Sequence, residues 1–150
     1  MREIHLTRTI PAPIDDVFDA FTDHERLADL PMVISARLIR HGDTEKNGLG
    51  AIREVNGGVV WLREEITGWQ RPTVMEYRIR KARPEVQHEL GRVEFTEVPG
   101  GTHIDWISRF GLNVPIMNGV VEVIFGATFG QIFTLILAQV SKRAVAARRG

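Results

Sequence analysis

The stretch NGVVEVIFGATFGQIFTLILAQVSKRAVAARR, residues 118–149, decides the fold. Between Gly119 and Val140 only Glu122 and Gln131 are strongly polar, and the basic residues Lys142, Arg143, Arg148 and Arg149 follow. Such a helix runs on the order of 40 Å at ~1.5 Å rise per residue. It is apolar nearly all round, so a flat packing surface would leave half of it bare. A curved sheet, a second subunit or a bilayer would cover it.

The upstream sequence supplies the sheet. REIHLTRTI, residues 2–10, places Ile4, Leu6, Arg8 and Ile10 on one face and His5, Thr7 and Thr9 on the other, the alternation of a half-buried strand. Pro11 and Pro13 end it, and Pro13 suits the opening of a helix with Val17, Phe18 and Phe21 on its apolar face. Asp15 and Asp16 sit in the first turn, where carboxylates favour the helix dipole. Asp23 reads as the N-cap of a second short helix carrying Leu27 and Leu30 and stopped by Pro31. Six further strands are expected over residues 32–41, 49–55, 59–68, 74–81, 88–98 and 102–111, with turn signals such as Asn56-Gly57, Arg71-Pro72-Thr73 and Pro99-Gly100-Gly101 between them. Over 102–111, Thr102, Ile104, Trp106, Ser108 and Phe110 share one face, opposite His103, Asp105, Ile107 and Arg109.

This order predicts one α+β domain over residues 1–150: a curved seven-stranded antiparallel sheet around a long C-terminal helix, with two short helices after the first strand. Gly48, Gly50, Gly91 and Gly111 are the expected bending points. A sheet bent in this way leaves a cavity against the helix where side chains do not fill the widest part.

Composition excludes several classes. The 150 residues carry 19 basic and 19 acidic side chains, so nothing favours a nucleic-acid partner. With no cysteine, disulfides, thiol chemistry and Cys-ligated metals are excluded. The five histidines, His5, His24, His41, His88 and His103, show no metal-ligand spacing, and no cofactor motif is present. Ser35, Ser108 and Ser141 lack a nucleophile-elbow context. MREIHLTRTIPAP has no signal-peptide core, so a cytoplasmic location is the default. Gly119–Val140 matches a bilayer in length, and Gly126 and Gly130 form a small-xxx-small pair. Glu122 and Gln131 are expensive in lipid, however, and removing the helix would bare the sheet. No stable span is expected; transient contact with a membrane, or a homodimer, stays compatible with the pattern.

The segments IPAPIDDVFDAFTDHERLADL (10–30), GLGAIREV (48–55), VVWLREEITGWQRPTVMEYRI (59–79) and GRVEFTEVPGGTHIDWISRF (91–110) resemble the Bet v 1-like, or START-like, superfamily of helix-grip proteins, and within it the polyketide cyclase/dehydrase and lipid-transport family. The resemblance spans the chain and implies a ligand-binding cavity between sheet and helix. The tryptophan usual after the second helix is replaced here by Leu30-Pro31.

The residues expected to line that cavity are Leu62, Glu64, Met75, Tyr77, Phe95, Trp106 and Phe110 from the strands and Glu122, Phe125 and Phe129 from the helix. Glu64 falls in register with Leu62 and Ile66, so it points inward, where a buried polar group needs a partner. If Asn56-Gly57 is a two-residue turn, Arg53 points the same way, but Leu49 lies opposite Glu64 and the two charges do not pair. Residues 111–118, GLNVPIMN, read as a gate at the cavity mouth. Three functions are compatible with this pattern. One is a binder or carrier of a hydrophobic small molecule such as a lipid, polyketide or isoprenoid. Another is a cyclase- or aromatase-like enzyme using Glu64, Tyr77 and Arg53. The third is a protein-interaction module whose core is filled.

Overall fold

The alternation in the first strand, β1 (Arg2–Ile10), buries Ile4 and Ile10 on the inner face. The computed structural model describes residues 2–58, 60–83, 85–112 and 118–149, with side chains described for all of these except 2, 86, 89, 112, 118–126 and 149. Helix α1 (Ile14–Thr22) follows Pro13, holds Asp15 and Asp16 in its first turn and buries Val17, Phe18 and Phe21. The second short helix, His24–Asp29, is a 3-10 helix, and Asp23 makes no side-chain cap to it, contrary to expectation.

Six strands then form the meander: β2 (Ser35–Arg40), β3 (Ile52–Asn56), β4 (Trp61–Gln70), β5 (Val74–Arg83), β6 (Val86–Val98) and β7 (Gly101–Leu112). The order β1-β7-β6-β5-β4-β3-β2 is antiparallel throughout, so the first and last strands are neighbours. Register shifts fall between Leu38 and Arg40, Arg63 and Glu64, Ile66 and Gly68, and His88 and Leu90. Bulges bend and twist a strand locally, so these shifts are points at which the sheet curves. Gly48 and Gly50 lie in the loop before β3, and Gly50 has a positive φ of 87°.

The β3–β4 hairpin corrects the expected register. Its loop covers residues 57–60: the Gly57 amide donates to the Val60 carbonyl at 2.7 Å, and Asn56 Oδ1 accepts from the Gly58 amide. The loop is four residues long, not two, so Arg53 stands opposite Glu64 rather than Leu49. The register differs by an even number, which preserves the inward direction of Arg53.

The long helix α2 (Asn118–Arg149) packs against α1, β1 and β7. In its described part Leu137, Val140 and Ala144 are buried, while Ala127, Thr128, Gln131, Thr134, Leu135 and Ala138 are exposed. There the helix buries one stripe and leaves the other face open, so the sheet does not cover it all round as expected. Arg143 donates to the Ala20 carbonyl at 3.0 Å and Arg148 to the Pro11 carbonyl at 2.8 Å, fastening the basic tail to both flanks of α1. No helix among the described residues is long and apolar enough to cross a membrane. The expected gate falls mostly on residues 113–117, outside the described residues.

Candidate functional site

Beneath α1 the core is closed by aromatic rings. Phe18 meets Trp69 and Phe95 edge-on, and Phe21 meets Phe95 and Trp106 the same way. Further along the same faces, Ile4, Leu62, Glu64, Tyr77, Ile79, Ser108, Phe110, Phe129 and Phe133 enclose a cavity of about 30 Å³. That is about one water molecule's share of liquid volume.

Glu64, one of the lining residues, belongs to a buried polar cluster. Arg53 Nε donates to Glu64 Oε1 at 2.9 Å, with both side chains more than nine-tenths buried. The same guanidinium lies 5.3 Å from the centre of the Tyr77 ring, and its Nη1 donates to His24 Nδ1 at 2.9 Å. His24 Nε2 in turn donates to the Asn47 carbonyl at 2.9 Å. The neutral imidazole therefore satisfies both neighbours, whereas a protonated ring would set an N–H against Arg53. Burial first, then the Arg53 charge, lowers the His24 pKa to about 3.

A second cluster faces the first. Trp106 Nε1 donates to the Tyr77 hydroxyl at 3.0 Å. His88 stacks on the Tyr77 ring, accepts the Ile79 amide at Nδ1 and approaches Ser108 Oγ through Nε2 at 3.2 Å. Burial, reinforced by the Glu64 charge, pushes the Tyr77 pKa up to about 12. Burial also holds the His88 pKa below the ordinary histidine value, against the opposing pull of Glu64. Tyr77 lies flat on the backbone of Gly91, where an added Cβ would sit 2.3 Å from Cζ of the ring. A side chain at residue 91 would displace the ring that carries the hydroxyl.

A sequence profile described as polyketide cyclase / dehydrase and lipid transport matches residues 1–145. The chain belongs to that family. Its fold is that of the Bet v 1-like and START-like helix-grip proteins. TTHA0849 from Thermus thermophilus is 20% identical with a TM-score of 0.79, the match covering 97% of this chain and 99% of that one. A START superfamily protein from Mycobacterium smegmatis is 9% identical with a TM-score of 0.73, over 93% and 97% of the two chains. The Zhui aromatase/cyclase from Streptomyces sp. R1128 is 18% identical with a TM-score of 0.70, over 95% and 94%. At these identities the likeness is one of fold. A comparison with curated proteins gives no match.

Within this member of the polyketide cyclase / dehydrase and lipid transport family, the residues expected at the site divide into groups. Leu62, Glu64, Tyr77, Phe110 and Phe129 line the cavity. Trp106 lies against it, bonded to Tyr77 and stacked on Phe133 with ring centres 4.1 Å apart. Met75 and Phe95 depart from expectation: both are buried in the core, Phe95 among the α1 rings, and neither lines the cavity. They share the inward face of their strands but sit at the end that α1 covers. The side chains of Glu122 and Phe125 lie outside the described residues. Arg53 is not a lining residue; it holds Glu64 from behind.

The sequence reading missed Ile4, Ser108 and Phe133 as site residues, and also His24 and His88 behind them. Ser108 could have been found, because it shares a strand face with Trp106 and Phe110. His24 carries no such signal, since its contacts with Arg53 and Asn47 join residues far apart in the chain. Among the described residues no group of acidic or histidine side chains is arranged to hold a metal ion.

Proposed function

We propose that this chain binds or carries a hydrophobic small molecule, such as a lipid, polyketide or isoprenoid, between the sheet and α2. The observation that carries this reading is a cavity with largely apolar walls that Glu64, Tyr77 and Ser108 also line. Apolar walls with a few convergent polar groups are the usual composition of a small-molecule site. Membership of a family described by cyclase, dehydrase and lipid-transport roles supports the same class.

Turnover of the kind named for the Zhui aromatase/cyclase has weaker support here. General acid–base catalysis works best with groups that titrate near the operating pH. The Tyr77 pKa lies at about 12 and that of His24 at about 3, with His24 bonded behind Arg53 and outside the cavity lining. Acid–base work would fall on Glu64. Glu64→Gln would then abolish cyclisation of a polyketide substrate, whereas under the binding reading it only weakens affinity.

Mass spectrometry of compounds released on denaturing detergent-free protein tests the proposal. A stoichiometric apolar compound is the expected result. The small cavity and the Trp106–Phe133 stack favour a second reading, a filled-core interaction module. Binding of a drug-sized ligand takes roughly 300 Å³ or more, so it requires α2 side chains to move. Empty protein whose melting temperature no alkylphenol or fatty compound shifts would decide for the filled core.

A further inference from the structure

The cavity lining has unmatched hydrogen-bonding groups, and on the binding reading above these set the ligand's head group. Glu64 uses Oε1 for Arg53, while Oε2 has no hydrogen-bond partner among the described residues. Glu64 lines the cavity, and an ionised carboxylate only accepts. Arg53 balances the Glu64 charge from behind but is not itself at the cavity wall. Its guanidinium is engaged by Glu64, His24 and the Tyr77 ring, and it is not among the lining residues.

The donors come from the second cluster. An indole N–H only donates, so the Tyr77 oxygen accepts from Trp106. His88 Nδ1 accepts from the Ile79 amide, which places the neutral ring's proton on Nε2 and makes Ser108 Oγ an acceptor from His88. Tyr77 and Ser108 between them hold two hydroxyl protons. Neither proton has an acceptor among the described residues, and both residues line the cavity. The described lining thus offers one anionic acceptor and two neutral hydroxyl donors, with no cation among its residues.

We infer that the site takes a neutral ligand whose polar end both donates and accepts, such as an alcohol or a phenol, and rejects a carboxylate on the same skeleton. A hydroxyl donates to Glu64 Oε2 and accepts from the Tyr77–Ser108 pair at once. A carboxylate donates nothing and sets a second negative charge against Glu64. A ketone leaves Glu64 without a donor, and an ammonium leaves the hydroxyl protons without an acceptor.

The test uses three probes of matched shape, 4-octylphenol, 4-octylbenzamide and 4-octylbenzoate, titrated below their micellar concentrations into the full chain at neutral pH, with tryptophan fluorescence or calorimetry as readout. The phenol should bind at least about tenfold more tightly than the benzoate, because juxtaposed like charges in a desolvated site are strongly unfavourable. The benzamide, neutral and able to donate, should stay within about threefold of the phenol on the same ground. Glu64→Gln should narrow the phenol–benzoate ratio, since the glutamine amide can donate to the benzoate. Benzoate binding as tight as phenol binding overturns the inference and leaves the binding reading standing. A benzamide as weak as the benzoate overturns it too, by assigning the discrimination to shape. If none of the three binds, the inference and the binding reading both fall.

Discussion

Phe18, Phe21, Trp69 and Phe95 close the sheet's inner face beneath α1 by edge-on ring contacts, whereas a few residues further along the same strands Tyr77, Glu64 and Ser108 keep polar atoms around an unfilled volume. Strand β7 crosses both regions. Its Thr102 hydroxyl is sealed against the Ala12 carbonyl at 2.9 Å, while Ser108, on the same face, borders the cavity. The residue alternation is the same at both ends. What differs is the cover: α1 presents large rings to one end, and α2 presents Phe129 and Phe133, which leave a cavity between themselves and the sheet. A site can therefore arise within a continuous apolar face by leaving one part of it incompletely covered.

The largest effect that would break this comparison is in the rings. Phe18→Ala should cost about 3–5 kcal/mol in urea unfolding, the range for deleting a fully buried aromatic side chain. Phe133→Ala, half-buried and beside an existing void, should cost about 1–2 kcal/mol, closer to its transfer free energy alone. Equal losses would mean that the two ends are packed alike.

A smaller effect lies in the ionic cluster behind the cavity. The His24 pKa is about 3 in the fold against 6.5 for the free side chain, so the unfolded chain binds the extra proton between those values. Stability conferred by the neutral ring is present above 6.5 and is lost as the pH falls towards 3. Between pH 7 and pH 5 the loss attributable to His24 is about 2 kcal/mol. His88, also lowered by burial, adds in the same direction. Unfolding free energies of wild type and His24→Gln at the two pH values measure the difference; an unchanged pH slope in the variant would contradict the arrangement.

The smallest effect compares the two β7 hydroxyls. Thr102→Val removes the donor to the buried Ala12 carbonyl and should cost about 1–3 kcal/mol. Ser108→Ala leaves its neighbours facing a cavity that water can enter, and should cost about 1 kcal/mol or less. The same order of melting temperatures would sharpen the division into a sealed and an open end; the reverse order would erase it.

The strand faces were legible in the sequence because period-two alternation assigns every residue to a side. That reading placed Glu64, Tyr77, Trp106 and Phe110 inward, as found. It could not separate the two ends of a face, so Met75 and Phe95 were grouped with residues that line the cavity. The Arg53–Glu64 pair was missed through the length of one loop, which shifts register without changing side. Helix α2 was the least legible element. With apolar residues spread round it, the sequence does not mark which stripe faces inward, and Phe133 was passed over in favour of its neighbours. His24 was illegible for a different reason: its burial depends on the loop that carries Asn47 and on β3, not on its own helix.

The two arginine contacts at the end of α2 give the helix the mechanics of a lever with one fixed end. Arg143 and Arg148 pin it to the carbonyls of Ala20 and Pro11. Phe129 stands fourteen positions before Arg143, roughly 21 Å away at 1.5 Å per residue. A rotation of only about 5° around the pinned end would carry Phe129 roughly 2 Å, yet barely shift Ala144 in the core. A motion of that size would widen the cavity most at Phe129 and least at Val140 and Ala144, which are packed in the core.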